Sequence, residues 1–294
     1  MKTLNVIGAG RVGRALASLW SEQHTFHVQD VLDGTPEGSL EAVAFIGMGE
    51  AAASIAAMRA ADEWMITTPD NKIAGCSEAL AAARSVRSGD VVFHCSGSLP
   101  SSALDSVAAL GATVASVHPL KSFADSRVAA RTFAGTYCAA EGEGAALDVL
   151  LPAFESVGGR VSRIDAQQKT IYHAASVLAC NGLAALMETA LRCYGKAGLD
   201  RDTATQMMAP LARETLENVV GMGAARALTG PIARGDDEVV ERHLQTLASW
   251  DARIASIYSE LGSVAVALAR ERGEADGDAL LRIERVLEAL RSRS

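Results

Sequence analysis

The first thirteen residues limit the fold more than any other stretch. An apolar run, residues 4–7, leads straight into Gly8-Ala9-Gly10-Arg11-Val12-Gly13, and Val12, Ala15, Leu16 and Leu19 then recur at helical spacing. A strand that turns through three glycines into a helix is the setting in which such a fingerprint has physical meaning. Gly8 permits the tight turn, Gly10 lets backbone approach a pyrophosphate, and Gly13 lets the helix pack closely on the strand. The phosphates would meet free N–H groups and the positive end of the helix dipole, with Arg11 and Val12 in the same turn. The pattern points to dinucleotide binding. A second strand is expected over residues 25–28, ending in Asp30. An acid at that tip can accept two ribose hydroxyls and would repel a 2′-phosphate, which favours NAD over NADP. Asp33 is the alternative acid, and Arg11 could offset the charge.

The following pattern alternates. A turn-rich segment over 33–41, a short strand over 43–46 and an alanine-rich helix over 51–60 lead to a strand over 64–67 and a helix over 72–83. Strands are expected at 91–95 and 114–117, then at 135–140 and 160–164 around a helix over 145–157. Short apolar strands separated by helices predict an α/β fold, a doubly wound and mainly parallel sheet with helices on both faces. Ligands bind at the carboxyl ends of such strands. Three ends carry small or polar groups: Thr67-Thr68-Pro69-Asp70, His94-Cys95-Ser96-Gly97-Ser98 and Val117-His118-Pro119. Thr68, Pro69, Ser96 and Gly97 are the candidates for the cofactor, and Ser98 for substrate. From Asp165 onward only helices are expected, over 165–194, 202–220, 236–247, 250–271 and 277–290, with an irregular stretch at 228–235. A dinucleotide-binding domain over 1–164 and an all-helical substrate and dimerisation domain over 165–294 follow.

A net charge of -8 argues against a nucleic-acid surface, which needs clustered Lys and Arg. No run of about eighteen uncharged apolar residues offers a membrane span. The fingerprint strand begins at once, leaving no room for a signal peptide, and five cysteines without a C-x-x-C pair read as reduced thiols of a cytoplasmic protein. The six histidines never form a ligand-spaced group, so no metal site is expected.

The helix that starts at the domain boundary is the best place for reacting groups. At about 100° per residue, Lys169, His173, Ser176 and Cys180 share a stripe, with Asn181 at its edge. Polar groups on an otherwise apolar helix suggest a wet face. Reducing a C=O or C=N group needs a proton donor near the reacting atom, a role that suits Lys169 or His173. A Lys near a helix N-terminus and a second cation has a lowered pKa. Asn181 could hold a carbonyl oxygen. His118 is the rival, sited to polarise substrate, while Lys121 in the same loop and Arg234 in the irregular stretch could bind a carboxylate.

Together the segments V-I-G-A-G-R-V-G, T-T-P-D, H-C-S-G-S, S-V-H-P-L-K-S-F, K-T-I-Y-H-A-A-S and L-T-G-P-I-A-R-G-D resemble a bacterial group. Its members pair a Rossmann-like N-terminal domain with a helical domain of unknown function 2520. That group is similar to the 6-phosphogluconate dehydrogenase-like superfamily, with β-hydroxyacid dehydrogenases, ketopantoate reductase, pyrroline-5-carboxylate reductase and prephenate dehydrogenase as relatives. The resemblance implies nicotinamide use and a homodimer built on the helical domain. β-Hydroxyacid dehydrogenases place a catalytic Lys, followed four residues later by Asn, on this helix; Lys169 matches the Lys, but His173 stands where Asn is expected. His118-Pro119 is similar to the His-Pro segment of prephenate dehydrogenases, but Leu120-Lys121-Ser122-Phe123 departs from their following small residues. The expected activity is hydride transfer between NAD or NADP and a small carboxylate-bearing keto, hydroxy or imino compound. The alternative is a dinucleotide-sensing dimer without catalysis.

Overall fold

The computed structural model describes residues 1–291. Strands β1 (Lys2–Ile7), β2 (Phe26–Leu32), β3 (Glu50–Ala51), β4 (Glu63–Ile66), β5 (Val91–His94), β6 (Thr113–Pro119), β7 (Tyr137–Gly142) and β8 (Arg160–Arg163) form one sheet. Their order is β3-β2-β1-β4-β5-β6-β7-β8, parallel except where β7 meets β6. The chain leaves β1 on one side through β2 and β3 and returns on the other with β4. That places the topological switch point, where ligands of such sheets bind, at the carboxyl ends of β1 and β4.

Six helices pack on this sheet: α1 (Arg11–Glu22), α2 (Pro36–Ile46), α3 (Asp70–Ala83), α4 (Asp105–Ala108), α5 (Ser126–Arg131) and α6 (Gly144–Ser156). Every residue of β4 and β5 is buried, as a central strand covered on both faces requires. Their side chains alternate between two cores. Met65 and Phe93 join Leu16, Trp20 and Phe154 on one face. Trp64, Ile66 and Val92 join Ile73, Leu80 and Leu104 on the other. The Trp20 indole meets Phe26 and Phe154 edge-on and donates to the Ala153 carbonyl at 2.8 Å, which fixes α1 to α6.

Two local expectations fail before β4. Residues 43–46 end α2 rather than form a strand: Thr35 caps its start by accepting from Gly38 N–H, Pro36 occupies the first turn, and Gly47 closes it in the left-handed region at φ 77°. Residues 51–60 are not a helix. They hold the end of β3 and a single 3-10 turn, Ile55–Ala57.

The described residues form two compact units, Met1–Cys180 and the chain from Asn181 onward. The first takes in α7 (Lys169–Val177), which Asp165 introduces by accepting from Gln167 N–H and opening a 3-10 turn over Ala166–Gln168. A π-turn, Leu178–Gly182, then interrupts the helix expected to run unbroken. The extra residue in such a turn breaks the register that would carry one stripe from Lys169 to Asn181.

The second unit is helical: α8 (Leu183–Lys196), α9 (Arg201–Met222), α10 (Ala224–Ala227), α11 (Pro231–Arg234), α12 (Asp237–Trp250), α13 (Ala252–Arg272) and α14 (Gly277–Arg291). Asp200, Asp236 and Asp251 cap α9, α12 and α13. Val240, Val266, Leu280, Ile283 and Leu287 form its core. Ala166–Lys196 and Ala252–Arg272 are long and apolar enough to cross a membrane by length and composition only, a property that core helices share.

Candidate functional site

The site begins at the glycine turn. Gly8 sits at φ 81°, and a Cβ there would lie 2.6 Å from the backbone nitrogen of Thr68. A Cβ on Gly13 would run into Thr67 Oγ1, which donates to the Gly8 carbonyl at 2.7 Å. Gly10 differs: nothing lies within 4 Å of where its Cβ would be. Gly10 precedes α1, no side chain caps that helix, and Arg11 beside it is exposed. An open cradle over uncapped N–H groups fits a pyrophosphate.

The NAD-favouring role of Asp30 does not survive. β2 runs on to Leu32 because Asp30 and Val31 pair with Glu50 and Ala51 of β3, so Asp30 lies inside the strand. Its buried carboxylate accepts from Arg59 N at 2.6 Å and Arg59 Nε at 3.0 Å, leaving it no part at a ribose. Asp33 occupies the tip, its backbone N–H donating to the Ser39 hydroxyl at 2.8 Å and its carboxylate lying 3.8 Å from the Arg14 guanidinium.

Side-chain contacts then run strand by strand along the carboxyl edge. Thr67 and Thr68, after β4, contact the glycine turn. Pro69 starts α3, and Asp70 in its first turn accepts from Ser96 Oγ at 2.9 Å. The Ser96 hydroxyl also accepts from Ser98 N and Leu99 N, which folds the chain back tightly after β5. Beneath the turn His94 is buried, its Nδ1 accepting from Ser96 N and its Nε2 facing the Pro100 carbonyl at 3.1 Å. That arrangement assigns a neutral ring, and burial depresses its pKa to about 4.

Gly97 is where two imidazole side chains meet. A Cβ there would collide with His173 Nδ1 and stand 2.9 Å from His118 Nε2. His118 arrives from β6 and His173 from α7, and their rings meet edge to face at 5.7 Å between centroids. The other nitrogen of His118, Nδ1, lies 3.1 Å from the Tyr172 hydroxyl. Burial, with His173 and Lys169 nearby and Asp70 opposing, depresses His118 to about 4, so the ring is neutral at pH 7. Burial raises Tyr172, so its hydroxyl keeps its proton and shares one hydrogen bond with Nδ1. His118 Nε2 faces Gly97. His173 Nδ1 is a buried atom without a hydrogen-bond partner.

Lys169 is brought to the same turn, but behind it. Its side chain is 1% exposed, and Nζ donates to the Ser96 carbonyl at 3.0 Å and to Ser116 Oγ at 2.6 Å, with Glu141 Oε1 at 3.7 Å. Burial lowers its pKa and Glu141 pulls it back up. The wet stripe foreseen on this helix is thus dry at Lys169, and the Ser176 hydroxyl turns inward to the Tyr172 carbonyl.

Other expected residues are not brought together here. Lys121 donates to the Thr132 carbonyl at 2.8 Å. Asn181 and Arg234 belong to the second unit and are exposed, Arg234 at the end of α11. Three contributors were missed. Ser116, Glu141 and Tyr172 lie 20 or more residues from the turn that they serve, although an acid closing the apolar run Cys138-Ala139-Ala140 was a visible anomaly.

Comparison with known proteins now bears on the whole chain. The Rossmann-like domain model matches residues 2–119, and the domain of unknown function DUF2520 matches 136–264. The chain is a Rossmann-like protein with a DUF2520 domain. The first match contains the glycine turn, Gly97 and His118; the second contains Glu141, Lys169, Tyr172 and His173. No curated protein matches the sequence. Among solved structures, a Thermotoga maritima protein shares the fold at TM-score 0.73 and 24% identity, over 92% of this chain and 100% of that one. A Bacteroides fragilis protein assigned as an NADP oxidoreductase does so at 0.72 and 22%, over 90% and 97%. An imine reductase from Myxococcus stipitatus, in complex with NADP+, reaches 0.60 at 17%, over 99% and 94%.

Proposed function

We propose that this Rossmann-like DUF2520 protein is a nicotinamide-dinucleotide-dependent oxidoreductase acting on a small carboxylate-bearing keto, hydroxy or imino compound. The observation that carries the reading is the convergence of His118 and His173 on the Gly97 backbone. That point lies two strand spacings, about 10 Å, from the glycine turn at the same sheet edge. An NADP oxidoreductase assignment and an imine reductase among proteins of the same fold agree with it.

Gly10 and the uncapped first turn of α1 hold the pyrophosphate, and Asp33 with Arg14 meets the adenosine ribose. The cofactor, when bound, supplies or takes up the hydride. The remaining chemistry is the protein's. His118, its Nδ1 occupied by Tyr172, points Nε2–H at the substrate heteroatom and polarises it. His173, with a free ring nitrogen beside it, delivers or removes the proton. We also infer a homodimer through the second unit, since apolar side chains such as Leu211 and Val220 of α9 are 59% and 79% exposed.

The test incubates the pure protein with NADH or NADPH and a panel of keto and imino acids while following cofactor oxidation. Turnover is expected, with His118→Ala and His173→Ala each reducing it about 100-fold or more. Tight cofactor binding with no oxidation for any acid would instead favour the sensing dimer.

A further inference from the structure

We propose that Lys169 is a positioning residue: anchored by Glu141, it clamps the Ser96–Gly97 turn on which the two imidazoles rest, and moves no proton itself. The proposal builds on the reading of His118 and His173 as the proton-transfer pair.

An ammonium group has three N–H donors and no acceptor. Around Lys169 Nζ stand three acceptors, the Ser96 carbonyl, Ser116 Oγ and Glu141 Oε1. Ser116 passes its own proton to the same Ser96 carbonyl at 3.3 Å, so that one carbonyl is held from two sides. Glu141 in turn accepts from Ser101 N and Ser101 Oγ, both at 2.8 Å, just beyond the turn. The ion pair thereby ties β6, β7 and α7 to the chain after β5. The peptide between Ser96 and Gly97 has its carbonyl on the lysine side and its glycine Cα against the imidazoles. A lysine acting on substrate would have to abandon these acceptors and pass through that peptide. A lysine acting as a clamp needs only to stay.

The geometry makes a signed prediction. Facing His118 are His173 and Tyr172 from α7, Asp70 from α3 and Lys169, with Glu141 behind Lys169. Imidazole NMR titrations of the full chain without cofactor, in wild type, Lys169→Met and Glu141→Gln, read the effect. Lys169→Met removes a nearby positive charge, so the His118 midpoint rises by about one pH unit. Glu141→Gln keeps the Ser101 bonds but leaves the ammonium uncompensated, so the midpoint falls. The His173 ring resonances move in both. With a panel substrate, Lys169→Met lowers kcat about 100-fold, as a displaced pair would. It keeps both limbs of the pH profile, and Lys169→Arg restores part of the rate. Unchanged His118 and His173 resonances in both variants, or loss of one limb in Lys169→Met, would overturn the clamp. If the wild type oxidises no cofactor with any acid, the enzyme reading fails, while the NMR comparison still decides the clamp.

Discussion

At Gly97 the absence of a side chain is a requirement of the two rings beside it. A methyl group there must displace His173 Nδ1 and press on His118 Nε2, neither of which is the loose end of a flexible chain. Gly97→Ala is expected to lose at least tenfold in turnover while destabilising the fold by about 1–3 kcal/mol, the usual range for overpacking; parallel rate and urea-denaturation measurements check it. Tyr172 acts more softly. Tyr172→Phe removes the hydroxyl that occupies His118 Nδ1, so the ring can hold its proton on either nitrogen. The melting temperature should stay within a few degrees while turnover falls about tenfold, and a nitrogen-15 spectrum of the ring should show the tautomers mixing. His118 and Gly97 were visible in the sequence because each sits beside a Pro or a Ser at a strand end, and His173 because it interrupts an apolar helix. Their grouping was not. A stripe drawn on one helix puts Lys169 and His173 together, whereas in space the turn after β5 passes between them, Lys169 behind the peptide and His173 in front.

The glycine turn divides its labour among its three residues, and the division can be measured. Gly13 abuts Thr67 and Gly8 abuts Thr68, whereas Gly10 faces open space. Gly13→Ala is therefore expected to lower the melting temperature, and Gly10→Ala to leave it unchanged while weakening NADH binding at least tenfold, since the new methyl group occupies the space above the helix N–H groups. Thermal melts paired with calorimetric titration of NADH separate the two; equal losses of stability would refute the division. This strand–turn–helix element was legible because its three glycines stand at fixed offsets between an apolar run and a helical repeat, although the Thr67 and Thr68 contacts that demand two of them come from beyond β4. The neighbouring elements were less so. Residues 43–46 carry an apolar run that suits a strand as well as the last turn of a helix, and the decision came from Thr35 and Gly47 at the two ends. The length of β2 was hidden for another reason: Asp30 stays in the strand by pairing with β3, and Arg59, distant in sequence, satisfies its carboxylate. No pattern within residues 25–33 contains that information.

At the scale of the whole fold, two buried titrating groups pull stability in opposite directions with pH. Glu63 opens β4 at the sheet edge opposite the glycine turn, fully buried, with Oε1 paired to Lys2 at 2.8 Å and Oε2 unpartnered. Burial, strengthened by Asp62 and Asp90, raises its pKa to about 7. A carboxyl whose folded pKa lies above its unfolded value favours folding fully only below about pH 4.5, and loses that contribution as pH rises toward 7. The shift corresponds to about 3 kcal/mol. His94 has the opposite sign. Its folded pKa of about 4 lies below the unfolded value near 6.5, so its contribution is complete above pH 6.5 and disappears as pH falls toward 4. Between pH 7 and 4.5 acidification therefore gains at Glu63 most of what it loses at His94, and these two contributions nearly cancel. Glu63→Gln removes one side of that balance while keeping an oxygen for Lys2. The variant should be more stable than wild type by about 3 kcal/mol at pH 8. The advantage should vanish by pH 4.5, so the variant's stability falls more steeply on acidification. Urea denaturation at half-unit pH steps checks this. Parallel curves for the two proteins would show that Glu63 titrates as an ordinary carboxylate and that Lys2 meets its charge in full.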